Sequence, residues 1–336
     1  MLELQPVSQT FAIPNFEFAS GETLPQLQLH VQTLGTPQTD GYSRINNAVL
    51  ILHGTSGSGD AFLAPHFAQE LFAPGQPLDL EKYFIILPDN IGHGESSRPS
   101  DGLKVSFPKY GYHDMVKAQH QLVCDHLGIS QLRLVMGTSM GGMHTWMWGY
   151  LYPEMVQALM PMASVPLEIA GRNRMLRRMI IDAITQSPDY GDGNYAEQPF
   201  GLTAATHIVM LMVGSPYQLQ KLAPNQKKAD KMFDQMVMGF RGRFDANDLL
   251  YQFDSSFDYN PEPHLEKIVA PLVAINAADD LVNPPELKIL EALIERVPNG
   301  RAIVQDDWPN LQGHRSHSFA KLWKHHLAEL LEKSEP

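Results

Sequence analysis

Residues 132–142 read LRLVMGTSMGG. A short apolar run, as expected of a strand buried on both faces, ends in a serine set among Gly137, Gly141 and Gly142. Glycine loses more backbone freedom on folding than any other residue. Three of them around one hydroxyl predict a hard bend or a close backbone approach. The following HTWMWGYLY reads as a helix. Strand, G-x-S-x-G and helix in this order form a nucleophile elbow. It predicts Ser139 at the tip of a sharp turn, with helix N–H groups behind it that favour developing negative charge. A side chain at Gly137 or Gly141 would collide with neighbouring backbone.

A serine hydroxyl is a weak nucleophile until a base takes its proton. The partners of an elbow serine follow in the order Ser, Asp or Glu, His. The apolar run LVAIN leads into AADDLVNPPE, where Asp279 and Asp280 both stand just past a strand end. Asp280 is favoured because it lies beside the turn preceding Pro284 and Pro285. Further on, RAIVQDD leads into WPNLQGHRSH. His314, after Gly313 in the loop beyond the last strand, is the expected base, and His317 is its rival. An oxyanion hole needs backbone N–H groups, each worth roughly 3–4 kcal/mol in the transition state. One is expected from Met140, the residue after the nucleophile. The other is expected from Thr55 in LILHGTSGSG (50–59), a loop without the lysine of a phosphate-binding P-loop. Asp89, in PDNIGHGESS, is expected to organise its turn through side-chain-to-backbone bonds.

Around these motifs the chain alternates apolar runs with helical spacing. LPQLQLHVQTLG (24–35) has a period of two; 46–54, 82–90, 132–137 and 157–164 are further strand-like runs; 112–128 is helical. That alternation predicts an α/β fold, with a mostly parallel sheet and helices on both faces. From 165 to 263 the segments turn helical, and strand-like runs then return at 268–280 and 300–307. The expected organisation is one core domain, 1–164 and 264–336, interrupted by a helical lid at 165–263. The methionines of that insertion fall near helical spacing, which suits helix contacts and an adaptable apolar cavity lining alike.

The 336 residues are 43% hydrophobic and 18% charged, with a formal net charge of −12. No basic cluster is present, so nucleic acid and anionic membranes are not expected partners. The single cysteine, Cys124, excludes an intramolecular disulfide and is expected to be a small buried thiol. No metal-ligand spacing occurs, and neither a metal nor a cofactor is expected. The start lacks the basic and apolar regions of a signal peptide, and no apolar run approaches the ~18 residues of a membrane helix. As it stands, the sequence reads as cytoplasmic.

With these pieces in order, the chain resembles the α/β-hydrolase fold family, and within it the homoserine O-acetyltransferase-like branch. FEFASGETLPQLQLHVQTLG, LHGTSGSG, DNIGHGESS, MGTSMGGMHTW, DANDLLYQFDSSFDYN, AADDLVNPPE and GHRSH stand in the family's order. The resemblance supports Asp280 over Asp279 and His314 over His317, and implies a homodimer. Two positions depart from the acetyltransferases. Thr206 stands where they carry an arginine that helps hold the amino acid substrate, and Arg315 stands where an aspartate meets the substrate amine. The resemblance therefore implies a serine hydrolase of a small-molecule ester, with Ser139, Asp280 and His314 as triad. Its rival is an O-acyltransferase that resolves the same acyl-enzyme with an alcohol. Arg315 is further expected to attract an acidic group on the substrate, with Thr206 beside it in the substrate site.

Overall fold

The computed structural model describes residues 2–335. Its centre is an eight-stranded sheet, whose inner strands are continuous buried runs because both faces are covered. The strands are β1 (Val7–Glu17), β2 (Thr23–Leu34), β3 (Ala48–Leu52), β4 (Phe84–Pro88), β5 (Leu134–Thr138), β6 (Leu159–Met162), β7 (Leu272–Ala277) and β8 (Gly300–Gln305). They lie in the order β1-β2-β4-β3-β5-β6-β7-β8. β1 and β2 are antiparallel to each other, β2 is antiparallel to β4, and all other pairs are parallel. β1 is absent from the sequence reading. It is one of the two edge strands, largely exposed and carrying Pro14, a residue that the middle of a sheet disfavours.

Among the described residues, ten α-helices accompany the sheet: α1 (Pro65–Leu71), α2 (Tyr112–Gln121), α3 (Met140–Leu151), α4 (Gly171–Thr185), α5 (Phe200–Val213), α6 (Pro216–Leu222), α7 (Gln226–Arg241), α8 (Ala246–Asp254), α9 (Ile289–Ile294) and α10 (Lys324–Lys333). The strand period of two sorts β3 between two cores. Ala48, Leu50 and Leu52 join Met115 and Val116 of α2 and Trp146 of α3. Val49 and Ile51 join Phe67 and Leu71 of α1 and Leu327 and Leu330 of α10. A third core joins α4, α5 and α8 through Ile180, Ile184, Leu202, Val209 and Leu249.

α4 to α8 all fall between β6 and β7, so the chain leaves the sheet at one strand and returns at its neighbour. Cys124 departs from expectation. It lies half-buried in a π-turn, Leu122–His126, that extends α2. Among the described residues, no single helix is long and apolar enough to cross a membrane.

Candidate active site

The bend at Ser139 is built by its glycines. A Cβ on Gly137 would stand 2.2 Å from the Gly141 carbonyl oxygen, and one on Gly141 would stand 1.9 Å from that of Leu52. Only bare backbone passes there. Ser139 itself sits at φ 55°, ψ −112°, immediately before the first residue of α3. Such a conformation costs a non-glycine residue on the order of 1–3 kcal/mol and persists only when its surroundings hold it. Here the Ser139 N–H donates to the Met162 carbonyl of β6 at 2.9 Å.

Three loops at the C-terminal ends of β5, β7 and β8 then meet. His314 Nε2 lies 2.8 Å from Ser139 Oγ, and His314 Nδ1 lies 2.9 Å from Asp280 Oδ2. The Val282 N–H donates to Asp280 Oδ1 at 2.7 Å and the Asn283 N–H at 3.3 Å. The Asn283 side-chain amide donates to the Ala163 carbonyl, which ties this loop to the end of β6. Burial pushes the Asp280 carboxyl up, but His314 and the two N–H groups outweigh it and hold it below the ordinary range. A carboxylate that stays ionised fixes a proton on His314 Nδ1, leaving Nε2 free to accept from Ser139. His317 packs edge-on against the His314 ring, 5.5 Å between centroids, and makes no hydrogen bond to Ser139.

Asp279 faces a different set of groups. Its Oδ2 accepts from Gly313 N–H and from the Ser215 hydroxyl, each at 2.8 Å. It thereby pins the loop that carries His314 to the N-terminus of α6. Two neighbouring carboxylates thus divide between orienting the imidazole and anchoring its loop.

Gly54–Gly57 and Met140 approach Ser139 from the other side; a Cβ on Gly54 would stand 3.3 Å from Ser139 Cβ. Among the described residues, the Thr55 and Met140 N–H groups have no hydrogen-bond partner. Behind Thr55 runs a buried polar chain that sequence reasoning missed. Trp148 Nε1 donates to Gln119, whose amide donates to Asn90 Oδ1. The Asn90 backbone N–H then donates to His53 Nε2. Because Nε2 accepts, the proton sits on Nδ1 and is donated to the Gly54 carbonyl at 2.9 Å. Asp89 acts as expected, accepting from Gly59 and Glu95 N–H as well as from His30.

Three buried histidines, His53, His93 and His144, and the half-buried His317 have a measurable consequence. Burial pushes His93 and His317 each down to about 3, with a nearby histidine adding to it. It also lowers His53 against the opposing charge of Asp89, and His144. All four folded values lie below the ordinary 6.5 of an exposed histidine. The unfolded chain therefore takes up protons first as pH falls. The stability these residues give is present above about pH 6.5 and is lost as pH falls below it, for His93 and His317 down to about pH 3. Each contributes at most about 1.4 kcal/mol per pH unit in that window. The urea midpoint is expected to fall steadily between about pH 7 and pH 5; a flat profile would contradict neutral burial.

A cavity of about 850 Å³ opens above Ser139 and His314, lined largely by apolar side chains that include Met143, Met210, Met212, Met232 and Met236. Arg315 lines it and is exposed. Thr206 corrects the sequence expectation. It does not line the cavity; it is 1% exposed, and its hydroxyl donates back to the Leu202 carbonyl within α5.

Comparison with known proteins gives a consistent picture. Residues 47–309 match the model of the alpha/beta hydrolase fold family. A probable acyltransferase of Methanothermobacter thermautotrophicus is 29% identical over 308 residues, covering 91% of this chain and 92% of that protein. A homoserine O-acetyltransferase of Chlorobium chlorochromatii is 30% identical over 318 residues, covering 85% of each. The crystal structure of an acetylester hydrolase from Corynebacterium glutamicum superposes with a TM-score of 0.84 at 23% identity, covering 97% of this chain and 96% of that one. At that identity, the likeness is one of fold.

Proposed function

This chain belongs to the α/β-hydrolase fold family, in its homoserine O-acetyltransferase-like branch, and from that premise we propose that it is a serine hydrolase of small-molecule esters. The observation that carries the reading is the continuous hydrogen-bonded line from Ser139 through His314 to Asp280. Ser139 Oγ attacks the ester carbonyl while His314 Nε2 takes its proton. The carbonyl oxygen becomes an oxyanion facing the Thr55 and Met140 N–H groups. As the intermediate collapses, the C–O bond to the alcohol breaks, and His314 returns the proton to the leaving oxygen. Water then adds to the acyl-serine, with His314 again as base, releasing the acid and restoring Ser139. Asp280 stabilises the imidazolium formed in each half. The helices from 165 to 263 act as a lid that shapes the cavity. These steps draw on side chains and backbone alone.

A second reading is supported by the names of the two relatives above: the acyl-enzyme is resolved by an alcohol, as in an O-acyltransferase. The two readings differ in the acceptor and in the exclusion of water. Thr206 favours hydrolysis, because it stands at the position of the substrate-holding arginine and turns away from the cavity. Arg315 favours it too, since a cation there opposes the amine of an amino acid acceptor.

A partition experiment decides between them. The enzyme is loaded with a labelled acetyl ester in the presence of homoserine, and label is counted in acetate and in O-acetylhomoserine. Label is expected mostly in acetate. A majority in O-acetylhomoserine would overturn hydrolysis in favour of transfer.

A further inference from the structure

The cavity wall carries four arginines, Arg172, Arg177, Arg243 and Arg315, against two glutamates, Glu168 and Glu291. This excess of positive charge stands out in a chain with a formal net charge of −12. Three of the arginines are exposed, where water and salt screen them. Arg177, on α4, is 2% exposed. A buried guanidinium is ordinarily paired with a carboxylate. Arg177 has neutral partners instead. Its Nε donates to Asn173 Oδ1 at 3.0 Å, and one terminal nitrogen donates to Ser256 Oγ at 3.2 Å. Its guanidinium also faces the Phe253 ring at 5.6 Å. Among the described residues no carboxylate forms an ion pair with it, and most of its five N–H donors remain free.

Its neighbours have spare hydrogen-bonding capacity as well. The Tyr112 hydroxyl lies beside both Arg177 and Thr55. The Tyr112 and Thr55 hydroxyls are buried without a partner. Arg177 and Thr55 both line the cavity, and Tyr112 behind them joins Arg177 to the loop assigned to the oxyanion.

We propose that Arg177 is the anchor for a carboxylate on the substrate, so that the cavity selects esters bearing a negative charge. A planar guanidinium with free parallel donors matches a carboxylate bidentately. In a site shielded from water, that pairing is far stronger than at the surface. The carboxylate can reside on the acyl part, as in a half-ester of a dicarboxylic acid, or on the alcohol, as in the acetyl ester of a hydroxy acid. The proposal rests on the hydrolase reading for its substrate class, whereas its binding arm does not depend on turnover.

The test uses two matched pairs: an aryl hemiglutarate against its primary amide, and the acetyl ester of 4-hydroxybutyrate against that of 4-hydroxybutyramide. The wild type is expected to prefer the charged member of one pair by at least ~10-fold in kcat/KM; the pair that responds identifies the side carrying the charge. Arg177→Gln is expected to reduce that preference at least ~10-fold, with Arg177→Lys retaining more of it. No charge preference in the wild type overturns the proposal, even if Arg177→Gln does not fold. So does a preference that survives Arg177→Gln or is lost equally in Arg315→Ala. In the binding arm, glutarate but not glutaramide is expected to raise the Tm of wild type and of Ser139→Ala, and not of Arg177→Gln. Binding through Arg177 without ester turnover would sink the hydrolase reading alone; turnover without charge preference or glutarate binding would sink the anchor alone.

Discussion

Replacing Ser139 by alanine is expected to lower kcat on an acetyl ester by on the order of 10⁵-fold, leaving a trace rate from oxyanion contacts and binding. The loss has a narrow cause. Alanine keeps the same backbone, is subject to the same positive φ, and leaves the Ser139 N–H bond to Met162 in place. Only Oγ is removed, and with it the partner 2.8 Å from His314. Stability is therefore expected to change by less than about 1 kcal/mol, so a collapse in rate cannot be ascribed to unfolding. A fluorophosphonate should add its mass to the wild type on the peptide containing Ser139 and leave the variant untouched. More than about a hundredth of the wild-type rate in a purified variant, or labelling elsewhere, would mean that the nucleophile is another group.

Asp280→Asn is expected to cost about 10⁴-fold in kcat. Asparagine can still accept from the Val282 and Asn283 N–H groups that fold the loop around Asp280. What it lacks is the charge facing His314 Nδ1. Its amide can instead offer a donor there, which favours the tautomer with the proton on Nε2, where it blocks acceptance from Ser139. The protein should therefore fold, and bind an ester, while failing to react. Adding Asp280→Asn to His314→Ala should cost little beyond the single His314 change, because groups that act as one unit do not add. Full additivity of the two losses would separate Asp280 from the histidine and remove it from the triad.

The elbow was readable because its residues stand together in the sequence. Gly137 and Gly141 flank the serine they serve, although the carbonyl that excludes a Cβ on Gly141 belongs to Leu52 of β3. The parallel strands were readable because burial on both faces leaves continuous apolar runs. Other parts depend on partners distant in the chain. Asp279 and Asp280 are chemically alike and adjacent, and their duties separate only once Gly313, Ser215 and His314 are seen around them. His53 stood in a quoted motif, yet its tautomer is set by Asn90, and Asn90 is held from Gln119 on α2. Thr206 was aligned to a substrate position, and helix phase turned it away. In the sequence Arg177 is one of four arginines on α4. Only burial without a counter-charge distinguishes it. α1 passed unnoticed because it is short, and β1 because an exposed edge strand carries little apolar signal.

β6 and β7 are paired, Leu159 with Leu272 and Met162 with Ile275, although α4 to α8 separate them in the chain. The cost of closing a loop grows only with the logarithm of its length, about 0.6 kcal/mol for each doubling. The sheet therefore scarcely registers how long that excursion is. A longer or shorter excursion leaves Ser139, Asp280 and His314 mounted beyond β5, β7 and β8. Excursion and core nevertheless both line the cavity: Met210 and Met236 come from the excursion, and Met143 and Leu287 from the core. The seam between them is broad: besides the contact of Ser215 with Asp279, Asp248 accepts from the Ser100 hydroxyl, Tyr251 donates to the Phe107 carbonyl and Gln252 to that of Gly92, and a transplanted excursion would need to rebuild these contacts before it could share the same histidine loop.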